Sequence, residues 1–585
     1  MKRYFLAGAA ALLAGLGALP AAAAAQSGLA DVIMAGRANG VQPSPDLYEF
    51  VEGRADAFEF RHGWKKRMER VAARRASAMR SAAADGVVTS GEFRQAGAAL
   101  DGTFRMPVIL ARYNDVAAPY AGTSMQDRLF GAGMGQYSLT ELYDEMSNGV
   151  FDFNGTVIGW TDLPQPRGTY ETTTAGVPDI FGNVPQFLRD ALAGADTVVD
   201  FGQYDNDGPD GVPNSGDDDG YVDTAAFMFP GVGAECGGGA TGIWAHRYYV
   251  GGWGGGNYVS DDPAAGGGMI RVADYIIQGG LNCQSTIQDI GVVAHEAGHA
   301  FGLPDFYDTD GNADDGQGVG HWGLMGAGNW NEPSSPAHMM AFSKNMLGWI
   351  SVVTLSANQT GVVLPPIMTD QVAYRIDVPN KPHEYFLLEN RRALGSDQHV
   401  AGGGGLLVWH VDSLVYASKR NINEVNNDPL HKAVDLEESD GRNDLDLAFG
   451  NGGNRGDSGD PFPGALNRTV FDATSSPNSG DYDGNASGIV LSNIASSGSD
   501  IVFDLQLAPT FAYGDVTADD AIDTADVDLL MAYANAETGL DETHIDRGDV
   551  DDDGDVDLRD AFIVHAFVLG KNVASFRVGN LGVAP

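Results

Sequence analysis

The sequence predicts a mixed α/β (α+β) domain, then a β-rich module, then a small α-helical module at the C-terminus. Three observations carry this. Strand-type runs followed by longer helical patterns begin near residue 104, and period-two apolar alternation dominates 351–508. Two related Asp-rich loops, each leading into an apolar helical stretch, lie within 511–572. A chain of 585 residues also exceeds what one hydrophobic core supports, so several domains are expected.

The N-terminus comes first. Lys2 and Arg3 precede an apolar run over 4–19 and an alanine tract, the pattern of a secretory signal over 1–25 with cleavage near Ala25. Segment 26–103 is rich in Ala and Arg. Between Arg61 and Arg80 stand eight Lys/Arg and a single Glu, in a chain whose formal charge is -44. A basic helix is expected there, either as a solvated face or as a pro-segment that docks on the acidic remainder of the chain until cleaved.

Residues 104–350 supply the mixed domain. "MPVILARY" (106–113), "TAAFMFPG" (224–231) and "GMIRVADYII" (268–277) read as strands. "SLTELYDEMSNGVFDFNGTVIGW" (138–160) reads as a helix from a Ser/Thr cap, a Gly stop and a strand. "STIQDIGVVAHEAGHAFGL" (285–303) reads as a helix capped by Ser285 or Thr286 and ended at Gly302, with Pro304 beyond. In 351–508 the strands are "QVAYRIDV", "EYFLLENRR", "GLLVWHVD", "IVLSNIA" and "IVFDLQL", separated by an irregular Asn/Asp/Gly-rich stretch over 414–485.

Charge excludes some functions. So acidic a chain disfavours nucleic acid and anionic membrane surfaces as partners, and after the N-terminus no segment approaches 18 uninterrupted apolar residues. Much of the acid sits in stretches such as "DNDGPDGVPNSGDDDGYVD" (205–223), which suit calcium as well as they suit plain solvated loops. Export would oxidise the two cysteines, Cys236 and Cys283, to one disulfide; two buried free thiols are the alternative.

The stretch "HEAGHAFGLPDFYD" (295–308) carries the chemistry. His295 and His299 stand at i and i+4 and share a helix face, which suits two neutral imidazoles holding a zinc ion with one position left for water. Glu296 is placed to take that water's proton as general base. Gly302 permits a turn, and Asp305 follows His299 at the spacing of a third ligand, with Asp308 as a competitor. Downstream, "HWGLMGAGNW" (321–330) puts Met325 in a Gly-rich turn like the methionine floor of metzincin-type sites. His246 and His321 are candidate oxyanion donors or plain structural histidines. His410 and Asp412 share a strand face and suggest either a structural metal site or a packed hydrogen-bonded one.

Several long stretches resemble the M6 family of secreted metalloproteases, the immune inhibitor A type. They are "ELYDEMSNGVFDFNGTVIGW" (141–160), "YDNDG" with "DDDGYVDTAAFMFPGVGAE" (204–235), "IWAHR" (243–247), "HEAGHAFGLPDFYD" (295–308), "WGLMGAGNW" (322–330) and "LGWI" (347–350). "YFLLENRR" (385–392), "GLLVWHVD" (405–412) and "GDPFPG" (459–464) continue the likeness. The resemblance implies a metzincin-like catalytic domain over 104–350, a β-rich accessory region over 351–508, and a precursor that matures to a zinc endopeptidase with calcium supporting the fold. It implies His295 and His299 as zinc ligands and Glu296 as base, with Asp305 or Asp308 as third ligand. Protein or peptide substrates outside the cell follow.

At the C-terminus, "DVDDDGDVDLRD" (549–560) has EF-hand-like spacing, with Asp549, Asp551, Asp553, Asp555, Asp557 and Asp560 as calcium-ligand candidates and Gly554 at the bend. An earlier copy, "DVTADDAIDTAD" (515–526), offers Asp515, Thr517, Asp519, Asp523 and Asp526; Asp520 in place of Gly predicts weaker binding. The pair resembles a dockerin type I module over 511–572. That resemblance implies a cohesin-type partner tethering the protein to a scaffold or cell surface; a calcium-stabilised module without such a partner is the alternative. A rival for the whole chain is a non-catalytic, calcium-dependent adhesion or scaffold component with a vestigial zinc site.

Overall fold

The computed structural model describes residues 62, 64–82, 87–88, 94–174, 177–178, 182–236, 243–309, 316–379, 381–507, 510–519, 521–536, 538–540, 542–551, 555–573, 575–578 and 581–583. The signal-like stretch 1–25, and Asp553 with Gly554, lie outside the described residues.

The chain enters through helix α1 (Trp64–Ala82) and a short strand β1 (Val87–Val88). Strand β2 (Gly102–Arg112) is followed by helices α2 (Gly122–Phe130) and α3 (Leu139–Ser147), strand β3 (Phe151–Asp162) and helix α4 (Val184–Ala195). Helix α3 starts where its sequence says it should. Ser138 and Glu141 form a reciprocal capping box, and the helix stops at Asn148 in the left-handed region. Next come β4 (Ala225–Val232), β5 (His246–Tyr249), the hairpin β6 (Tyr258–Pro263) and β7 (Met269–Val272), and β8 (Asp274–Leu281). They build a five-stranded sheet ordered β3-β2-β4-β8-β5, parallel except for the antiparallel edge strand β5.

Side-chain alternation explains the two faces of this sheet. Met106, Val108 and Leu110 of β2 point to one side with α2, α3 and helix α5 (Gly291–Ala300). Ile109, Phe227 and Tyr275 point to the other, where Phe187, Leu188 and Leu192 of α4 cover them.

The run at 268–277 divides into β7 and β8 instead of forming one strand. Ala273 is the break, where its carbonyl accepts a hydrogen bond from Val250 N (2.8 Å) as the chain passes from the hairpin into the main sheet. Helix α5 likewise begins at Gly291, six residues after Ser285, and neither Ser285 nor Thr286 caps it. Asn282 explains the delay: its side chain accepts from Thr286 N and Oγ1, holding 282–286 as a turn after β8.

Downstream, β9 (Ser351–Thr354), β10 (Gln359–Leu364), β11 (Val372–Asp377), β12 (Glu384–Arg392), β13 (Gly404–Asp412) and β14 (Val434–Leu436) follow in order, then β15 (Ile489–Ser497) and β16 (Asp500–Leu507). A six-stranded sheet runs β1-β9-β11-β12-β13-β14, and β10-β16-β15 form a smaller antiparallel sheet against it.

The division near residue 350 is one of sequence texture, not of packing. Leu387, Leu407 and Trp409 of the six-stranded sheet share one core with β2, β3, α3 and α5. Helix α1 belongs to that core as well. Trp64 is 1% exposed, meets Phe104, Phe151 and Phe301 edge-on, and donates from Nε1 to Asp223 Oδ2 (2.8 Å). Arg70 reaches Asp207 O (2.8 Å) and Arg75 reaches Asn345 Oδ1 (2.7 Å). The basic helix thus docks its apolar face on the core around Phe104, Phe151 and Phe301, and touches the acidic region 205–223 through Trp64 and Arg70.

The C-terminal module has its own small core of Val516, Leu530, Val550, Ala561, Ile563 and Val564, from helices α6 (Thr524–Ala534) and α7 (Leu558–Val568) and the loops before them. Among the described residues no helix is long and apolar enough to cross a membrane.

Candidate metal centre

Helix α5 is buried along nearly its whole length, so its small residues are there for close packing. Gly298 is the clearest case. A Cβ built on it would lie 2.2 Å from Met325 Sδ, which means Met325 is seated directly on the helix between the two histidines. The same turn holds His295, whose Nδ1 bonds Leu324 O (2.7 Å). Gly302, at φ +80°, swings the chain so that Leu303 O meets His299 Nδ1 at 2.8 Å. With each Nδ1 on a carbonyl, each ring carries its proton there and presents the Nε2 lone pair.

Those two Nε2 atoms face one carboxylate. Asp305 Oδ1 lies 3.0 Å from His295 Nε2 and 3.4 Å from His299 Nε2, and all three residues are buried. This N₂O donor set fits zinc: two neutral imidazoles with fixed tautomers and one carboxylate converging from a turn. Asp308, three residues on, is also buried, and its backbone N bonds Gly316 O (3.3 Å).

Two supporting residues lie far off in sequence. Asn423, itself left-handed at φ +56°, donates from Nδ2 to Asp305 Oδ2 (2.6 Å) and accepts at Oδ1 from Asp305 N (2.8 Å). Arg247 of β5 brings its Nε to 3.9 Å from Glu296 Oε2, both groups buried. Beneath the Met325 turn, the fully buried Arg391 donates to Trp322 O (2.8 Å) and His338 O (2.7 Å). It pairs with Glu389 (2.6 Å) and Asp397 (2.8 Å). "YFLLENRR" therefore braces the floor of the site from another sheet.

The other histidines sort by their contacts. His246 is buried, with Nδ1 on Trp244 O (2.7 Å) and Nε2 at Tyr275 OH (3.0 Å); burial pulls it down to about 4, a neutral structural role. His321 is likewise pulled down to about 4 by burial and by Arg455. His410 sits between Glu384 (3.5 Å) and Glu437 (3.3 Å) and stacks on Tyr482, while Asp412 accepts from His431 and caps the following helix through Leu414 N. Together they make a hydrogen-bonded ionic cluster.

Residues 113–354 match the profile of the family described as immune inhibitor A peptidase M6, catalytic domain. This region is thus similar to M6-type peptidase domains. The chain is 30% identical to Immune inhibitor A of Bacillus thuringiensis subsp. alesti over 272 residues, covering 41% of this chain and 38% of that protein. It is 28% identical over 269 residues to Pre-pro-metalloprotease PrtV of Vibrio cholerae serotype O1 (strain M66-2), covering 41% and 28% of the two chains. The matched part thus spans well under half of either relative. The matched region contains α5, Asp305 and Met325, but Asn423 and Arg391 lie beyond its boundary.

Elsewhere, Cys236 and Cys283 form a disulfide linking the segments that follow β4 and β8. In the C-terminal module the two loops are built alike. Asp523 and Asp557 cap α6 and α7 in reciprocal boxes with Asp526 and Asp560. Asp526 accepts from Thr517 N (2.8 Å), and Asp560 from Val550 N (2.9 Å) and Asp551 N (3.3 Å). Asp515 pairs with Arg547 (3.0 Å) and accepts from Asp519 N (3.1 Å). Asp549 and Asp555 lie in the second loop, and Asp551 pairs with Arg559 (2.7 Å).

Proposed function

We propose that the chain is a secreted zinc endopeptidase that cleaves peptide bonds of extracellular proteins. The observation that carries this is the convergence of His295 Nε2 and His299 Nε2 on Asp305 Oδ1, one helical step from Glu296. In this reading His295, His299 and Asp305 hold the zinc. When bound, zinc supplies Lewis acidity to the scissile carbonyl and acidifies the attacking water. Glu296 takes the proton from that water and passes it to the leaving amine. Arg247, with its Nε 3.9 Å from Glu296 Oε2, places a positive charge beside that carboxylate and orients it.

Export fits the basic and apolar start of the chain and the Cys236–Cys283 bridge. Segment 26–103 serves as a pro-segment whose α1 docks on the 205–223 region. The 511–572 module is dockerin-like, binds calcium in its two loops, and tethers the enzyme through a cohesin-type partner. The repeated cap-and-loop geometry of Asp523/Asp526 and Asp557/Asp560 supports that reading.

Glu296→Gln tests the catalytic assignment. Casein cleavage is expected to fall roughly 100-fold or more while zinc content stays at one per chain. Unchanged cleavage would sink it. A zinc-loaded wild-type chain that cuts nothing in an unbiased peptide library would favour the adhesion reading instead.

A further inference from the structure

Glu438, Asp444 and Asp460 lie outside the zinc centre and outside both C-terminal loops. All three are buried, at 2%, 7% and 1% exposure, and one carboxylate oxygen from each lies within 4.8 Å of the others. None of the three is paired with a Lys, Arg or His among the described residues; the nearby Arg442 is taken by Asp440 and Asp457. Asp444 Oδ1 and Asp460 Oδ1 are buried with no hydrogen-bond partner.

The rest of each carboxylate is firmly held. Glu438 accepts from Asp444 N (2.9 Å) and Leu445 N (3.0 Å), and Asp460 Oδ2 accepts from Trp322 Nε1 (2.7 Å) and Asp457 N (2.9 Å). Two oriented carboxylates with orphan oxygens, facing a third, leave a concentrated negative charge in a dry place. Burial, then Asp460, pushes Glu438 upward, and burial raises Asp460 to about 7. A compensating cation removes that penalty.

We propose that Glu438, Asp444 and Asp460 bind a calcium ion. The donor set is three carboxylates with no nitrogen or sulfur, which suits the hard calcium ion and disfavours zinc. The ion locks the 438–460 loop to the floor of the zinc centre. Asp460 holds Trp322, Leu445 O accepts from Gln317 N (2.6 Å), and Arg455 O accepts from His321 N (2.7 Å). Two residues past Trp322, Leu324 O fixes the ring of His295. Gly456, at φ +110°, is needed here because a Cβ would stand 2.7 Å from Trp322 Nε1. The site does not depend on the peptidase reading, since it concerns calcium alone.

The experiment uses the full chain carrying Glu296→Gln, so that autolysis plays no part. Bound calcium is counted after equilibrium dialysis, and melting is followed against free calcium, for that chain and for added Asp444→Asn or Asp460→Asn. Asp483→Asn, an exposed position, is the control. Each added cluster variant is expected to lose one calcium per chain, or to bind one ion at least tenfold more weakly, and to show a smaller calcium-induced rise in Tm. Asp483→Asn should match the parent. Asp444→Asn alters the less constrained carboxylate, so it carries the test if Asp460→Asn does not fold. An Asp444→Asn chain with the parent's calcium count and the parent's response of Tm to calcium would overturn the proposal.

Discussion

Asn423 grips Asp305 from both ends, donating to its carboxylate at 2.6 Å and accepting from its backbone N at 2.8 Å. This side chain decides which way the Asp305 carboxylate turns, and so whether Oδ1 faces both histidines. Asn423→Ala is expected to weaken zinc binding by roughly 10–100-fold, measured by competition with a chelator, with a melting temperature close to the parent's in excess zinc. Zinc affinity equal to the parent's would show that Asp305 orients itself.

Gly298 lets Met325 sit against α5. Gly298→Ala puts a methyl group 2.2 Å from Met325 Sδ and must displace the turn that also holds His295 through Leu324 O. A loss of about 1–3 kcal/mol of stability is expected by thermal or denaturant unfolding. The double variant Gly298→Ala/Met325→Ala should recover part of it, because the clash is with that one side chain. No recovery would place the strain elsewhere.

The His410 cluster gives the chain a pH dependence that does not involve His295, His299 or Asp305. Burial alone would lower His410, but the hydrogen bonds it donates to the Glu384 and Glu437 carboxylates outweigh it and raise the group to about 9. The folded value lies above the unfolded one of about 6.5, so the stabilisation is complete below that pH and fades as pH climbs through 9. It amounts to about 3 kcal/mol at most. Tm of the Glu296→Gln chain should therefore fall between pH 6.5 and 9.5, and His410→Gln should flatten that fall. Identical slopes in the two chains would refute the assignment.

The C-terminal module buries its apolar side chains among themselves, from Val516 to Val578. A chain ending at Leu507 is expected to keep the parent's casein-cleaving activity and its main melting transition, while calcium bound by the two loops disappears. Loss of activity in such a chain would mean that the module supports the catalytic unit.

Much of this protein was legible in one dimension. The i,i+4 histidines, Glu296, the turn at Gly302 and Met325 are short-range features whose geometry follows from helix periodicity and glycine's backbone freedom. The paired C-terminal loops were legible for the same reason, since caps at Asp523 and Asp557 act within four residues. Local reading failed where hydrogen bonds compete locally, as at Asn282, which delays the start of α5. Tertiary structure alone decided the rest. It brought Asn423 to Asp305 across 118 positions, put Arg391 beneath the Met325 turn, merged the sheet after residue 350 into the core around α5, and gathered Glu438, Asp444 and Asp460 beside Trp322. The physical reason is common to all four: buried polar groups must find partners, and which distant segment supplies them depends on how the sheets pack.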